Sequence, residues 1–228
     1  MADSAAGARL LVINADDFGL SPGVSDGIIE AHTRGVVTST SLMVNRPGAA
    51  YAAQLAAGHP ALSVGIHFED DHESDLDAPA QARAAFAAQL ASFRELTGQD
   101  PTHIDSHHHV HLDAGSAAVF GELAAELGVP LRRDGQVSYV GDFWARDADE
   151  RLDLAFVSRG HLVELIRSTV DAGWTEIACH PARLTGDFTS SYHDERRSEL
   201  ETLTSPGLRG EIEALGVRLV SYRDWPAA

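Results

Sequence analysis

Short apolar runs alternate with helix-forming stretches along the whole of this sequence, and that alternation constrains its fold more than any single motif. Residues 10–13, Leu-Leu-Val-Ile, are the kind of run expected in a strand buried on both faces. Ser21-Pro22 then has the signature of a helix N-cap with proline in the first turn, opening a helix towards Arg34-Gly35. The same pattern predicts strands over 36–44, 62–67, 102–106, 129–132, 176–179 and 217–221. Between them it predicts helices over 49–57, 80–96, 116–127, 161–172 and 206–215, the first three stopped by Gly58, Gly98 and Gly128. Seven strands alternating with helices imply an α/β fold with a parallel sheet. No Gly-x-Gly-x-x-Gly follows the first strand, so the dinucleotide-binding signature is missing. The run of units favours a (β/α) barrel, TIM-like and incomplete at seven strands. At 228 residues the chain suits one domain over 1–228, with 1–8 flexible. The acidic stretch 70–77 reads as a solvated loop, and 135–157 carries no clear element.

The polar residues sit at the ends of these strands. Asp16 and Asp17 follow the first, His67 ends the third, a histidine cluster follows the fourth, Arg132 ends the fifth and His180 the sixth. In parallel α/β barrels the reacting groups gather at the C-terminal ends of the strands, so these distant residues would converge on one mouth. The cluster, Ile-Asp-Ser-His-His-His-Val-His at 104–111, holds four of the chain's twelve histidines. Crowded imidazoles repel one another when protonated, and a divalent metal keeps them neutral and oriented. In an extended segment His107, His109 and His111 share one face, with His108 opposite. In a helix His107 and His111 meet instead, at i and i+4. Adjacent carboxylates at Asp16 and Asp17 point to opposite sides if the strand persists, so one could ligate a metal while the other faces a substrate. Two His and one Asp leave open positions for water and substrate.

Charge narrows the partners. Asp plus Glu outnumber Lys plus Arg by 34 to 17, a formal charge of −17, which opposes binding to nucleic acid or to an anionic membrane surface. No apolar run approaches the roughly 20 residues that span a bilayer. The N-terminus lacks the cationic start and apolar stretch of a signal peptide, which makes the cytoplasm the expected location. The single cysteine, Cys179, excludes an internal disulfide and a Cys-rich zinc site, and its apolar neighbours make it a packed core thiol.

Six motifs then resemble, in order, those of the YdjC-like carbohydrate deacetylases, relatives of the polysaccharide deacetylases. They are Asn-Ala-Asp-Asp-Phe-Gly at 14–19, Val-Thr-Ser-Thr at 37–40, Gly-Ile-His-Phe at 65–68, Thr-His-Ile-Asp-Ser-His-His-His-Val-His at 102–111, Cys-His-Pro-Ala at 179–182 and Ser-Tyr-Arg-Asp at 221–224. The resemblance covers nearly the whole chain. It implies a barrel-like fold and removal of acetyl groups from N-acetylglucosamine units of short chitin-type sugars. It also implies one divalent ion, Mg2+ or Zn2+, held by Asp17, His67 and His107, with Asp16 as general base. His180 then resembles the general acid or a transition-state stabiliser, and Arg132 a residue that borders the site and orients Asp16. His109 and His111 would surround the ligands or the sugar, and His108 would face away. The implied partner is a small sugar or oligosaccharide, and homodimers are common among such enzymes. The segment 69–77 departs from the pattern, being short and acidic where related enzymes carry a longer stretch beside the substrate. Two other readings compete. A metal-dependent phosphoesterase on a similar barrel would need two or three metals and more convergent carboxylates. A sugar-binding homologue without activity would need neither Asp16 nor His180.

Overall fold

The computed structural model describes residues 7–70, 72–147, 149 and 151–226, so most of the segment expected to be flexible at 1–8 lies outside the described residues. Its centre is β1 (Arg9–Phe18), flanked in a parallel sheet by β2 (Ser39–Leu42), β3 (Ser63–Phe68) and β4 (Ile104–Ser106) on one side. On the other side lie β6 (Gly173–Cys179) and β5 (Ser138–Val140). β6 pairs with one edge of β1 from Arg9 to Ala15, and β2 and β7 (Val217–Leu219) share the other, β7 at Arg9–Leu11 and β2 further on. The sheet curls into a half-barrel. β4 is three strands from β1, about 14 Å away in a flat sheet, yet Asn14 Nδ2 on β1 lies 3.4 Å from Asp105 Oδ2 on β4.

Helices α1 (Pro22–Thr33), α2 (Ala49–Ala57), α3 (Pro79–Thr97), α4 (Ala117–Leu127), α5 (Arg159–Thr169), α6 (Asp194–Leu203) and α7 (Leu208–Ala214) complete the crossovers. Their ends follow local chemistry. Ser21 Oγ accepts from Val24 N at 3.2 Å with Pro22 beginning α1, and Gly98 and Gly128 end α3 and α4 in the left-handed conformation, both at φ 68°.

Strand alternation separates two environments. Leu11, Ile13, Ala15 and Phe18 of β1 face the helices, in a core that includes Ile66, Phe68, Phe86, Phe120 and Ile166. Leu10 and Val12 face the barrel interior with Val137, Val220 and Tyr222. Further along the same inward face come Asn14 and Asp16, so the interior turns from apolar at the N-terminal end of β1 to polar at its C-terminal end.

Four expectations are corrected. β1 continues through Asp16 and Asp17 to Phe18, so both carboxylates belong to the strand. The strand expected at 129–132 is a single bridge between Leu131 and Ile104, and the fifth strand is β5, inside the stretch that carried no clear signal. Helix α6 was not expected, because its buried face includes Glu195, Arg196 and Glu199, which an apolar repeat cannot reveal. His107 to Leu112 is neither extended nor α-helical: His108 and His109 both take left-handed backbone angles, φ 54° and 57°, inside a 3-10 turn. Cys179 is a buried free thiol in the core, as expected. No helix among the described residues is long and apolar enough to cross a membrane.

Candidate active site

Arg132 organises the floor of the barrel mouth. Ile104 N donates to Pro130 O, and Arg132 N to Ile104 O at 2.9 Å, which holds Arg132 at the edge beyond β4. The residue is 2% exposed, and its guanidinium meets three carboxylates. Nη1 and Nη2 donate to Asp16 Oδ2 and Oδ1, both at 2.7 Å. Nε donates to Glu176 Oε1 at 2.9 Å, and Nη2 also lies 2.8 Å from Asp105 Oδ2. Burial alone would raise the Asp16 carboxyl, but the guanidinium outweighs it and holds Asp16 below the usual carboxylate range. Oδ1 of Asp16 also accepts from Asn14 Nδ2 at 2.8 Å. Oδ2 is the freer oxygen and lies 3.9 Å from His180 Nε2.

Asp17 reaches the same mouth although strand alternation would send it to the helix side. The register with β2 shifts between Ala15 and Phe18, and Asp17 itself sits at φ 66°. Its Oδ1 lies 3.5 Å from His67 Nε2 and 3.3 Å from His107 Nδ1, and its Oδ2 accepts from Arg196 Nη2 at 2.5 Å. Burial works against the Asp17 charge, yet Arg196 and the two histidines keep its carboxyl well below the ordinary value. His67 Nδ1 donates to Asp105 Oδ1 at 2.7 Å, which turns Nε2 towards Asp17. Burial would lower the His67 pKa, but Asp105 raises it well above that of free imidazole. Asp17, His67 and His107 each offer a ligand atom within 4.8 Å of the others, and all three line a cavity of about 620 Å³. One carboxylate and two imidazoles beside open space suit a single catalytic metal ion.

The histidine turn divides its labour in a way that spacing could not show. His107 points at Asp17. His108 was expected to face away but lines the cavity, its ring 3.9 Å from that of His107, because the left-handed backbone there breaks the alternation. His109 also lines the cavity, with Nε2 3.3 Å from the Tyr139 hydroxyl. His111 lies behind the wall. Its Nε2 donates to Arg132 O at 3.0 Å and Nδ1 contacts Ser106 Oγ at 2.6 Å, so both ring nitrogens are used. Burial brings its pKa down to about 4, so it is a neutral brace for the Arg132 backbone.

The opposite rim comes from β6 and α6. His180 follows β6, and burial lowers its pKa to about 4. Among the described residues its Nδ1 has no hydrogen-bond partner. Its backbone N–H donates to Glu199 on α6, and Glu199 also accepts from the Tyr192 hydroxyl. Tyr192 stacks on Trp144 at 3.7 Å and 6°, giving the cavity an aromatic wall beside Ser190 and Ser191. Sequence reasoning did not single out Arg196, Glu199, Asp105 or Glu176. Glu176 did leave a signal, as a carboxylate directly before the apolar run Ile177-Ala178-Cys179.

Fold and site together define a (β/α) half-barrel whose mouth carries an Asp-His-His cluster and a second, separately clamped aspartate. The chain belongs to the YdjC-like protein family, whose profile matches residues 10–70 and 71–214. It is 36% identical over 249 residues to a chitooligosaccharide deacetylase of Klebsiella pneumoniae (strain 342), covering 95% of this chain and 99% of that one. A carbohydrate deacetylase of Geobacillus stearothermophilus is 36% identical over 245 residues, covering 95% and 98%. Among solved structures, a protein from Enterococcus faecalis V583 named for cellobiose-phosphate cleavage superposes with a TM-score of 0.76 at 28% identity, covering 97% of this chain and 100% of that chain. The family resemblance carried by the six motifs is thereby borne out.

Proposed function

We propose that this chain is a metal-dependent hydrolase that removes the acetyl group from an N-acetylated sugar. The observation that carries this reading is the pair of neighbouring aspartates held apart by two arginines, one beside two imidazoles and the other beside His180. Relatives named as carbohydrate deacetylases at 36% identity supply the substrate class. The cavity volume is in the range that encloses a drug-sized ligand, which suits one or two sugar rings.

Asp17, His67 and His107 would hold the ion, and two imidazoles favour zinc or another first-row divalent metal over magnesium. Such an ion supplies Lewis-acid polarisation of the acetyl carbonyl and makes water easier to deprotonate. Asp16 stays ionised because Arg132 holds its pKa down, and Oδ2 takes the proton from the attacking water. His180 is neutral, burial holding its pKa at about 4, and it faces that oxygen through Nε2, so it relays to the departing amine the proton that Asp16 takes from water. Acetate and a free amino sugar result. Arg132 does not touch the substrate in this scheme; it fixes Asp16 with both Nη groups.

The phosphoesterase reading fares worse. Asp16, His67 and Asp105 form the other candidate metal group among the described residues, but it shares His67 with the first. Both its carboxylates are already bound to Arg132, so a second ion would have to displace a buried guanidinium. The deciding experiment is acetate release from diacetylchitobiose by purified protein supplied with Zn2+, Mg2+ or Co2+. Asp16→Asn should abolish turnover while metal content stays near one equivalent. Wild-type protein inactive on every N-acetyl sugar tested, or a fully active Asn variant, would sink the reading.

A further inference from the structure

The terminal motif Ser-Tyr-Arg-Asp at 221–224 takes no part in the chemistry above. It folds into a 3-10 turn closed by its own cap, with Ser221 N and Oγ donating to Asp224 Oδ2 at 2.8 and 2.9 Å. The turn seats Tyr222 in the barrel interior, 3% exposed. Its backbone N–H donates to Ser39 Oγ at 3.1 Å, and its ring stacks on His103 at 4.1 Å and 25°. Gly65 leaves room for that stack, since a Cβ there would come within 2.4 Å of the His103 ring. Packing therefore explains an aromatic ring at position 222 but not its hydroxyl. A buried hydroxyl is costly unless it is bonded, and this one donates to Glu176 Oε2 at 2.7 Å. The other oxygen of the same carboxylate receives Arg132 Nε at 2.9 Å.

We propose that Tyr222 is a positioning residue: its hydroxyl pins Glu176, Glu176 pins the Arg132 guanidinium, and the guanidinium sets where Asp16 Oδ2 points. The kinetic consequence rests on the deacetylase reading; the relay of contacts does not. Arg132 is pulled from below by Glu176 and from above by Asp16 and Asp105. With Oε2 tied to Tyr222, Glu176 offers Oε1 alone to the fork. Released, the carboxylate turns and offers both oxygens, drawing the guanidinium out of line with Asp16. A displacement of about 1 Å at a reacting group can cost about 100-fold in rate, so a partial loss of alignment is expected to cost about tenfold.

Tyr222→Phe keeps the ring and removes the relay. The expected result is a kcat about tenfold lower with KM within about twofold, because the sugar-binding surface is untouched. In a Glu176→Gln background the same Phe substitution should cost nothing further, since both act through one carboxylate. Independently of turnover, the Arg132 Nε–H resonance in ¹⁵N NMR should shift in Tyr222→Phe. If wild-type protein releases no acetate, the functional reading fails while the resonance still decides the relay. An unmoved Arg132 resonance overturns the proposal. So does wild-type kcat in Tyr222→Phe of an active enzyme, or a tenfold loss that persists in the Gln background.

Discussion

Asp16 and Asp17 are neighbours in the chain, equally buried, and each is clamped by an arginine, yet the two clamps are built differently. Arg132 stands on the strand-built floor and is shared among Asp16, Asp105 and Glu176, with Tyr222 beneath. Arg196 comes from α6, a helix laid over the rim, and spends its other bond on Tyr192 O at 2.9 Å. Asp16 is thereby set in a network of fixed charges. Asp17 has one arginine and two histidines that also face open space. A carboxylate surrounded by fixed partners suits proton transfer at a constant position, whereas one flanked by imidazoles suits a cation.

The largest effects should separate these two carboxylates. Asp16→Asn is expected to lower kcat by about 10²- to 10⁴-fold, the usual worth of a positioned general base, with metal affinity unchanged. Asp17→Asn should lose metal and turnover together, its affinity falling by more than the 10- to 100-fold typical of outer partners. Acetate release measured beside metal content by mass spectrometry tests both. If Asp16→Asn sheds the metal and Asp17→Asn keeps it, the roles are reversed.

Convergence of Asp16, Asp17, His67, His107, Arg132 and His180 was legible in the sequence because strand-end position is a property of local pattern, and a parallel barrel turns it into proximity. Where the pattern itself is broken, legibility ends. The bulge and positive φ at Asp17 bring both aspartates to one mouth, which simple alternation forbids. Two left-handed residues at His108 and His109 reverse the expected orientation of His108. The rim was invisible for another reason. Helix α6 is held by Arg196, Glu195 and Glu199 through ion pairs and hydrogen bonds, and such a face looks solvated in sequence.

Removing each arginine should expose the difference in support. Arg132→Met leaves three buried carboxylates without their shared cation and should cost about 3–5 kcal/mol. Arg196→Met leaves Asp17 with His67 and His107 as partners, so about 1–3 kcal/mol is expected. Urea unfolding of both variants checks the order. Equal losses would mean that floor and rim are supported alike, and the contrast would fail.

The smallest effect concerns pH, where the two aspartates and Glu199 on the rim act with opposite sign. Asp16 and Asp17 have depressed folded pKa values, so their contribution is present above the unfolded value of 3.8 and lost as pH falls through the lower folded value. Glu199 on α6 runs the other way. Burial pushes its pKa up to about 8, against the lowering effect of the His180 N–H and Tyr192 hydroxyl. Between the ordinary value of 4.5 and about 8, the folded chain therefore holds a proton that the unfolded chain has released. Its stabilisation is complete below that window and fades as pH rises through it. Glu199→Gln removes the titration without removing the side chain. The melting temperature of the wild type relative to this variant should accordingly decline from pH 5 towards pH 8, with the acid limb unchanged. A constant difference across that range would show that Glu199 is ionised in the folded protein, and the rim would then be a second network of compensated charges like the floor.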